Sequence, residues 1–126
     1  MNLKNKKVLI TGATGGIGNS IVKKFDELGA KIFASGTNEK KLDILKKDYP
    51  NIIPSKFKLN EHDEIENFVD EAHKKLEGLD ILVNNAGITL DNISIRLSQE
   101  NWKKVLDINL TSSFLMSKFA IKKMLK

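Results

Sequence analysis

The residues best placed to do chemistry lie in Thr11-Gly12-Ala13-Thr14-Gly15-Gly16-Ile17-Gly18, where four of eight positions are glycine. Backbone so rich in glycine turns tightly and lets N–H groups approach an anion closely. If a helix begins there, its N-terminal dipole adds to the attraction, and the group held is a phosphate or pyrophosphate. Gly12, Thr14, Gly15, Gly16, Ile17 and Gly18 are the candidate contacts. The spacing is not a literal G-x-G-x-x-G, because Thr14 stands at the second position after Gly12. It is not a Walker loop either, because Asn19 stands where the lysine would follow Gly18.

A second cluster, Asn84-Asn85-Ala86-Gly87, follows the apolar run Ile81-Leu82-Val83. Two amides beside a buried strand need partners, and small residues at the carboxyl end of a strand leave space for a ligand. Between the clusters, Ser35-Gly36-Thr37-Asn38 occupies the place where NAD-binding folds put an acid that forks the ribose hydroxyls and repels a 2′-phosphate. Hydroxyls and an amide stand here instead, with Lys40 and Lys41 close by. That pattern favours NADP(H) over NAD, with Thr37 as the contact. The structural alternative is a polar turn whose Asn38 caps the next helix.

These clusters need elements to position them. Residues 7–11 read as a strand buried on both faces, and residues 17–28 as a helix with Ile17, Ile21, Val22, Phe25 and Leu28 on its apolar side. The pair repeats as a strand over 31–35 and a helix over 38–48. A third strand spans 52–59, irregular at its start because of Pro54. Asp63-Glu64-Ile65-Glu66 has capping-box spacing and opens a third helix that buries Ile65, Phe68, Val69, Ala72 and Leu76. A fourth strand covers 80–84. Ser98 caps a last long helix bearing Trp102, Val105, Leu106, Ile108, Leu110, Phe114, Leu115, Phe119, Ile121 and Met124. Strands alternating with helices at intervals of about thirty residues call for parallel pairing with right-handed crossovers. The expected fold is α/β, a Rossmann-like doubly wound parallel sheet stopping after four βα units, with residues 1–126 as one dinucleotide-binding domain.

Composition narrows the function. With no cysteine and only two histidines, His62 and His73, thiolate chemistry is excluded and no metal site is expected. Both histidines are expected on the surface. The formal charge of +5 comes from lysines spread along the chain, with Arg96 the only arginine, so no nucleic-acid partner is expected. The apolar run Val8-Leu9-Ile10 after the basic N-terminus is too short for a signal core or a membrane span, which points to a cytoplasmic protein away from membranes. Trp102 and the 114–119 aromatics have the spacing of core or interface packing.

Taken with their order, these motifs resemble the short-chain dehydrogenase/reductase family along the whole chain. Gly12, Gly16 and Gly18 match its T-G-x-x-x-G-x-G loop, Asn84-Asn85-Ala86-Gly87 its N-N-A-G, and Asn109 in Asp107-Ile108-Asn109-Leu110 its helix-borne asparagine. The N-N-A-G points to the compact branch. Within it, Ala86-Gly87-Ile88-Thr89-Leu90-Asp91-Asn92 followed by Arg96 looks like the 3-oxoacyl-acyl-carrier-protein reductases of fatty-acid synthesis. Those usually have Arg where Leu90 stands, and commonly Arg where Gly15 stands. The resemblance implies that Asn60 meets the adenine amino edge and that Asn84, Asn85, Ala86 and Gly87 line the ribose and nicotinamide side. It also implies that Asn109 is a catalytic residue whose carbonyl holds a water on a proton path.

The implied reaction is hydride transfer to a carbonyl, carried on acyl carrier protein or otherwise, by a protein that is a homo-oligomer at full length. The family's tyrosine acid and lysine helper are not among these residues: Tyr49 is the only tyrosine, and Ile53 is the fourth residue after it. The sequence is therefore expected to be the cofactor-binding half, inactive alone. The alternatives are a non-catalytic dinucleotide-binding module, or a relative acting on a small alcohol or ketone.

Overall fold

The computed structural model describes residues 2–88, 90 and 94–125. Thr89, Asp91 and Asn92, quoted above for the resemblance, lie outside the described residues.

Four parallel strands form one sheet, β1 (Lys7–Ile10), β2 (Lys31–Gly36), β3 (Ile53–Lys56) and β4 (Ile81–Val83), in the order β3-β2-β1-β4. Lys7 pairs with Lys31, Val8 with Ile81 and Phe33 with Ile53. Alternation along β1 and β2 splits the core into two layers. Val8, Ile10, Ile32 and Ala34 face α1 (Gly16–Glu27) and α2 (Glu39–Asp48), where Val22 and Leu45 meet them. Leu9 and Phe33 face the other side, against Phe68, Val69 and Leu76 of α3 (Ile65–Leu76) and Met116 and Ala120 of α5 (Ser112–Met124). Helices on both faces of a parallel sheet make the expected doubly wound α/β, Rossmann-like fold.

Several boundaries differ from the sequence reading. Ile17 begins the open end of α1 and is 73% exposed rather than buried. The capping box at Asp63 and Glu66 is not made. A 3-10 turn (His62–Glu64) leads into α3, and Glu64 N–H bonds the Glu61 carbonyl, so the chain enters α3 already turning and needs no side-chain cap. β3 shortens to four residues and keeps Pro54, which a strand with one paired neighbour tolerates.

The last helix is capped as expected, Asn101 N–H donating to Ser98 Oγ at 3.0 Å. It is nevertheless not one α-helix: α4 (Gln99–Leu106) passes through a π-turn (Asp107–Thr111) into α5. Its apolar residues divide: Met116 and Ala120 are buried in the core with Leu115 and Phe119 packed against it, whereas Trp102, Leu110, Phe114 and Ile121 are each more than half exposed.

Candidate functional site

The strand order reverses between β1 and β4, and ligands of open α/β sheets bind outside the carboxyl ends of the strands at such a point. A crevice of about 150 Å³ lies there. Gly12 and Thr14 line it after β1, Ser35, Gly36 and Thr37 at the end of β2, Phe57 and Leu59 after β3, and Ala86, Gly87 and Ile88 after β4. Ile108 closes it from the π-turn. None of these lining residues is charged.

Glycine is required at two places. Gly12 has φ +62°, and a Cβ on it would lie 2.8 Å from the Ala86 Cα. A Cβ on Gly18 would overlap the Gly12 carbonyl oxygen and come within 2.9 Å of the Ala13 Cα, so α1 packs against the loop only because Gly18 has no side chain. Gly15 precedes α1 with no side-chain cap, and the first turn holds no acid. Its leading N–H groups are thus left for an outside acceptor. An open helix end beside a cradle that a Cβ would fill fits a dinucleotide pyrophosphate.

The two asparagines of the second cluster face opposite ways. Asn85 Nδ2–H donates to the Gly12 carbonyl at 3.0 Å, tying the β4 loop to the glycine loop. Asn84 turns away from the crevice and donates to Ser117 Oγ of α5 at 3.0 Å, as side-chain alternation at the end of a strand requires. The joint is completed by Thr11, which did not stand out in the sequence as a site residue. Its buried hydroxyl accepts from Ala86 N–H at 3.0 Å and Asn85 N–H at 3.1 Å, and donates to the Val83 carbonyl at 3.3 Å. Thr11→Val keeps the shape but leaves Ala86 N–H without this acceptor, which should cost about 1–3 kcal/mol. Denaturant midpoints of Thr11→Val and Thr11→Ser check it, with serine expected to stay near wild type.

Asn109 sits in the π-turn and clamps the β4 loop. Its Oδ1 accepts from Ile88 N–H and its Nδ2–H donates to the Ile88 carbonyl, both at 2.8 Å. A Cβ on Gly87 would come within 3.2 Å of that Oδ1, so the loop and the asparagine fit one another closely. The Asn109 carbonyl accepts from Ser113 Oγ at 3.2 Å.

The remaining sequence candidates divide. Gly15, Gly16 and Ile17 are exposed at the open end of α1. Thr37 reaches the crevice. Asn38 does cap α2, accepting from Lys41 N–H at 3.0 Å, and Lys40 and Lys41 are exposed and do not line the crevice. Asn60 is exposed in the turn beside Glu61, Asp63 and Glu64, also outside the crevice lining. His62 is not a bare surface residue: its ring Nε2 lies 3.0 Å from the Asp107 carbonyl.

Phe57, Leu59, Ile88 and Ile108 were missed in the sequence because apolar residues at the ends of elements read as core. Phe57 stacks on Phe68 with ring centres 4.2 Å apart, which anchors that wall to the core. Among the described residues no group of acids and histidines is placed to hold a metal, and no helix is long and apolar enough to cross a membrane.

Comparison with known proteins agrees with this geometry. The chain is 42% identical over 127 residues to the 3-oxoacyl-[acyl-carrier-protein] reductase FabG of Rickettsia typhi, covering 100% of this chain and 51% of that protein. It is 34% identical over 131 residues to the FabG of Aquifex aeolicus, covering 100% and 53%. Among solved structures, a short-chain dehydrogenase/reductase from Brucella melitensis described as glucose/ribitol dehydrogenase superposes with a TM-score of 0.89 at 29% identity, over 95% of this chain and 52% of that one. One from Serratia marcescens, at 24% identity and a TM-score of 0.93, shares the fold over 98% of this chain and 53% of that one. The chain spans about half the length of these relatives. Residues 6–126 match the short chain dehydrogenase family, and the chain belongs to it.

Proposed function

We propose that this chain is the dinucleotide-binding domain, residues 1–126, of a cytoplasmic NADP(H)-dependent reductase that converts a 3-oxoacyl group on acyl carrier protein to the 3-hydroxyacyl group. The observation that carries it is the crevice at the β1/β4 switch point, built around Gly12 and Gly18 and without an acid at the end of β2. The two FabG relatives supply the substrate class.

NADPH, when bound, supplies the hydride. The open N-terminus of α1, with Gly15, Gly16, Ile17 and Gly18, holds the pyrophosphate by backbone N–H groups. Ser35 and Thr37 receive the adenosine ribose and its 2′-phosphate, and Phe57, Leu59, Ile88 and Ile108 exclude water along the crevice. By resemblance to the family, Asn60 in the turn after β3 is the residue that meets the adenine edge. Ala86 and Gly87 line the ribose and nicotinamide side, Asn85 supports it through its bond to Gly12, and Asn84 acts from behind by tying the end of β4 to Ser117 of α5. Asn109 fixes Ile88 through its side chain and offers its carbonyl to a water on the proton path. The exposed Leu110, Phe114 and Ile121 on one side of the last helix suit burial in a homo-oligomer of the full-length protein.

Calorimetric titration with NADPH and NADH tests the reading. NADPH is expected to bind more tightly, and tighter binding of NADH overturns the cofactor assignment. Thr37→Asp places a carboxylate beside the 2′-phosphate and should weaken NADPH about tenfold or more, leaving NADH nearly unchanged.

A further inference from the structure

Widening an α-helix by one residue into a π-turn displaces carbonyls from their usual partners, and such turns persist only where something holds them. Here the turn from Asp107 to Thr111 carries Asn109, so whatever fixes the turn also fixes the clamp on Ile88 and one wall of the crevice. The carbonyl at the head of the turn, that of Asp107, accepts from the Ser112 backbone N–H in the i to i−5 pattern and has a second lone pair to satisfy.

Two side chains reach it. Ser112 Oγ, fully buried, lies 2.6 Å from the Asp107 carbonyl and 2.5 Å from the Leu59 carbonyl. A hydroxyl has one proton and cannot donate to both. When it bonds Leu59, the second lone pair of Asp107 is open to the ring Nε2 of His62, 3.0 Å away, which fills it when that nitrogen carries the ring proton. His62 opens the 3-10 turn after β3, three residues beyond Leu59, which itself lines the crevice. His62 and Ser112 thus stitch the β3 end of the crevice to the turn that holds its β4 end.

We propose that His62 is a positioning residue for the dinucleotide crevice. Carrying its ring proton on Nε2, it satisfies the Asp107 carbonyl, holds the π-turn in register, and so keeps Asn109 bonded to Ile88. This deepens the dinucleotide-binding reading and rests on it for the effect on affinity, but not for the effect on Ile88.

The test uses the protein at its natural length. His62→Leu keeps bulk and removes the donor, whereas His62→Gln restores an N–H at similar reach. In His62→Leu, exchange of the Ile88 amide hydrogen is expected to quicken about tenfold, with the β1 and β2 amides of Leu9 and Phe33 unchanged. NADPH affinity should fall about fivefold to tenfold, and His62→Gln should recover most of both. Ile88 exchange that is unchanged in His62→Leu overturns the inference whether or not dinucleotide binds. If His62→Leu does not fold, the ring tautomer in the wild-type protein decides by nitrogen chemical shifts at a pH where the ring is neutral. Nε2–H supports the inference and Nδ1–H overturns it. Wild-type protein that binds no dinucleotide while His62→Leu still frees Ile88 would defeat the cofactor reading and leave the positioning role standing.

Discussion

Gly18→Val is expected to lower NADPH affinity at least about a hundredfold while the sheet still forms. The first carbon of any side chain at this position overlaps the Gly12 carbonyl and crowds the Ala13 backbone, and neither neighbour is a flexible side-chain end that could move aside. Relief comes only by moving α1 off the loop or by rotating the Gly12 peptide. Gly12 already has φ +62° and lies against Ala86, so rotation there pushes on the β4 loop. Either movement misaligns the helix end and loop N–H groups. Losing two charge-assisted hydrogen bonds to a phosphate, at about 1.5–3 kcal/mol each, is enough for the stated loss. Overpacking itself costs about 1–3 kcal/mol, within what a domain of ordinary stability can absorb. Calorimetry with NADPH beside far-ultraviolet circular dichroism separates the two effects. Native-like dichroism with unchanged affinity would show that the cradle lies elsewhere.

What could be read from the sequence follows how local each determinant is. Strand-glycine-helix over the first unit was legible because the pattern is contiguous: an apolar run, a loop that only glycine permits, then apolar residues at helical spacing. Asn85 was legible as a polar residue in need of a partner, but its neighbour Asn84 was not separable from it, since which one faces the crevice depends on how the strand ends. The roles of Thr11 and His62 were invisible, because their partners lie 72 to 75 residues away for Thr11 and 45 for His62. The π-turn was hidden for a related reason. Leu106, Ile108 and Leu110 keep an apolar rhythm that suits an unbroken helix, and the contacts that reward the extra residue, Asn109 with Ile88 and the Asp107 carbonyl with His62, are distant in sequence.

The aromatic residues of the last helix show the limit from the other side. Helical spacing marks an apolar stripe but does not say against what it packs. Phe119 rests against the α3 layer, whereas Phe114, five residues earlier, is 63% exposed.

A polypeptide of these 126 residues alone is expected to turn over no 3-oxoacyl thioester. Reducing a ketone leaves charge on oxygen, and without a positioned acid that charge has no proton to take up. The one tyrosine, Tyr49, caps the far end of α2 and packs with the α1 and α2 layer, outside the crevice. No lysine stands four residues beyond it. The two histidines offer no substitute: His62 is engaged with the Asp107 carbonyl and His73 lies on α3, and neither lines the crevice. The crevice is therefore lined, among the described residues, by no tyrosine, histidine or lysine that could supply the acid. The sheet adds a second obstacle. Among the described residues β4 is paired on one side only, by β1, and beside it Leu82, Ala120, Ile121 and Met124 line an apolar groove. Half-buried strand edges of this kind template pairing with another chain, so the isolated polypeptide should self-associate as its concentration rises. Light scattering over a dilution series reads the second expectation. A steady-state assay with NADPH and an acetoacetyl thioester reads the first. Turnover within about tenfold of the ~10 per second typical of enzymes would mean that the crevice contains an acid that the geometry of these residues does not reveal.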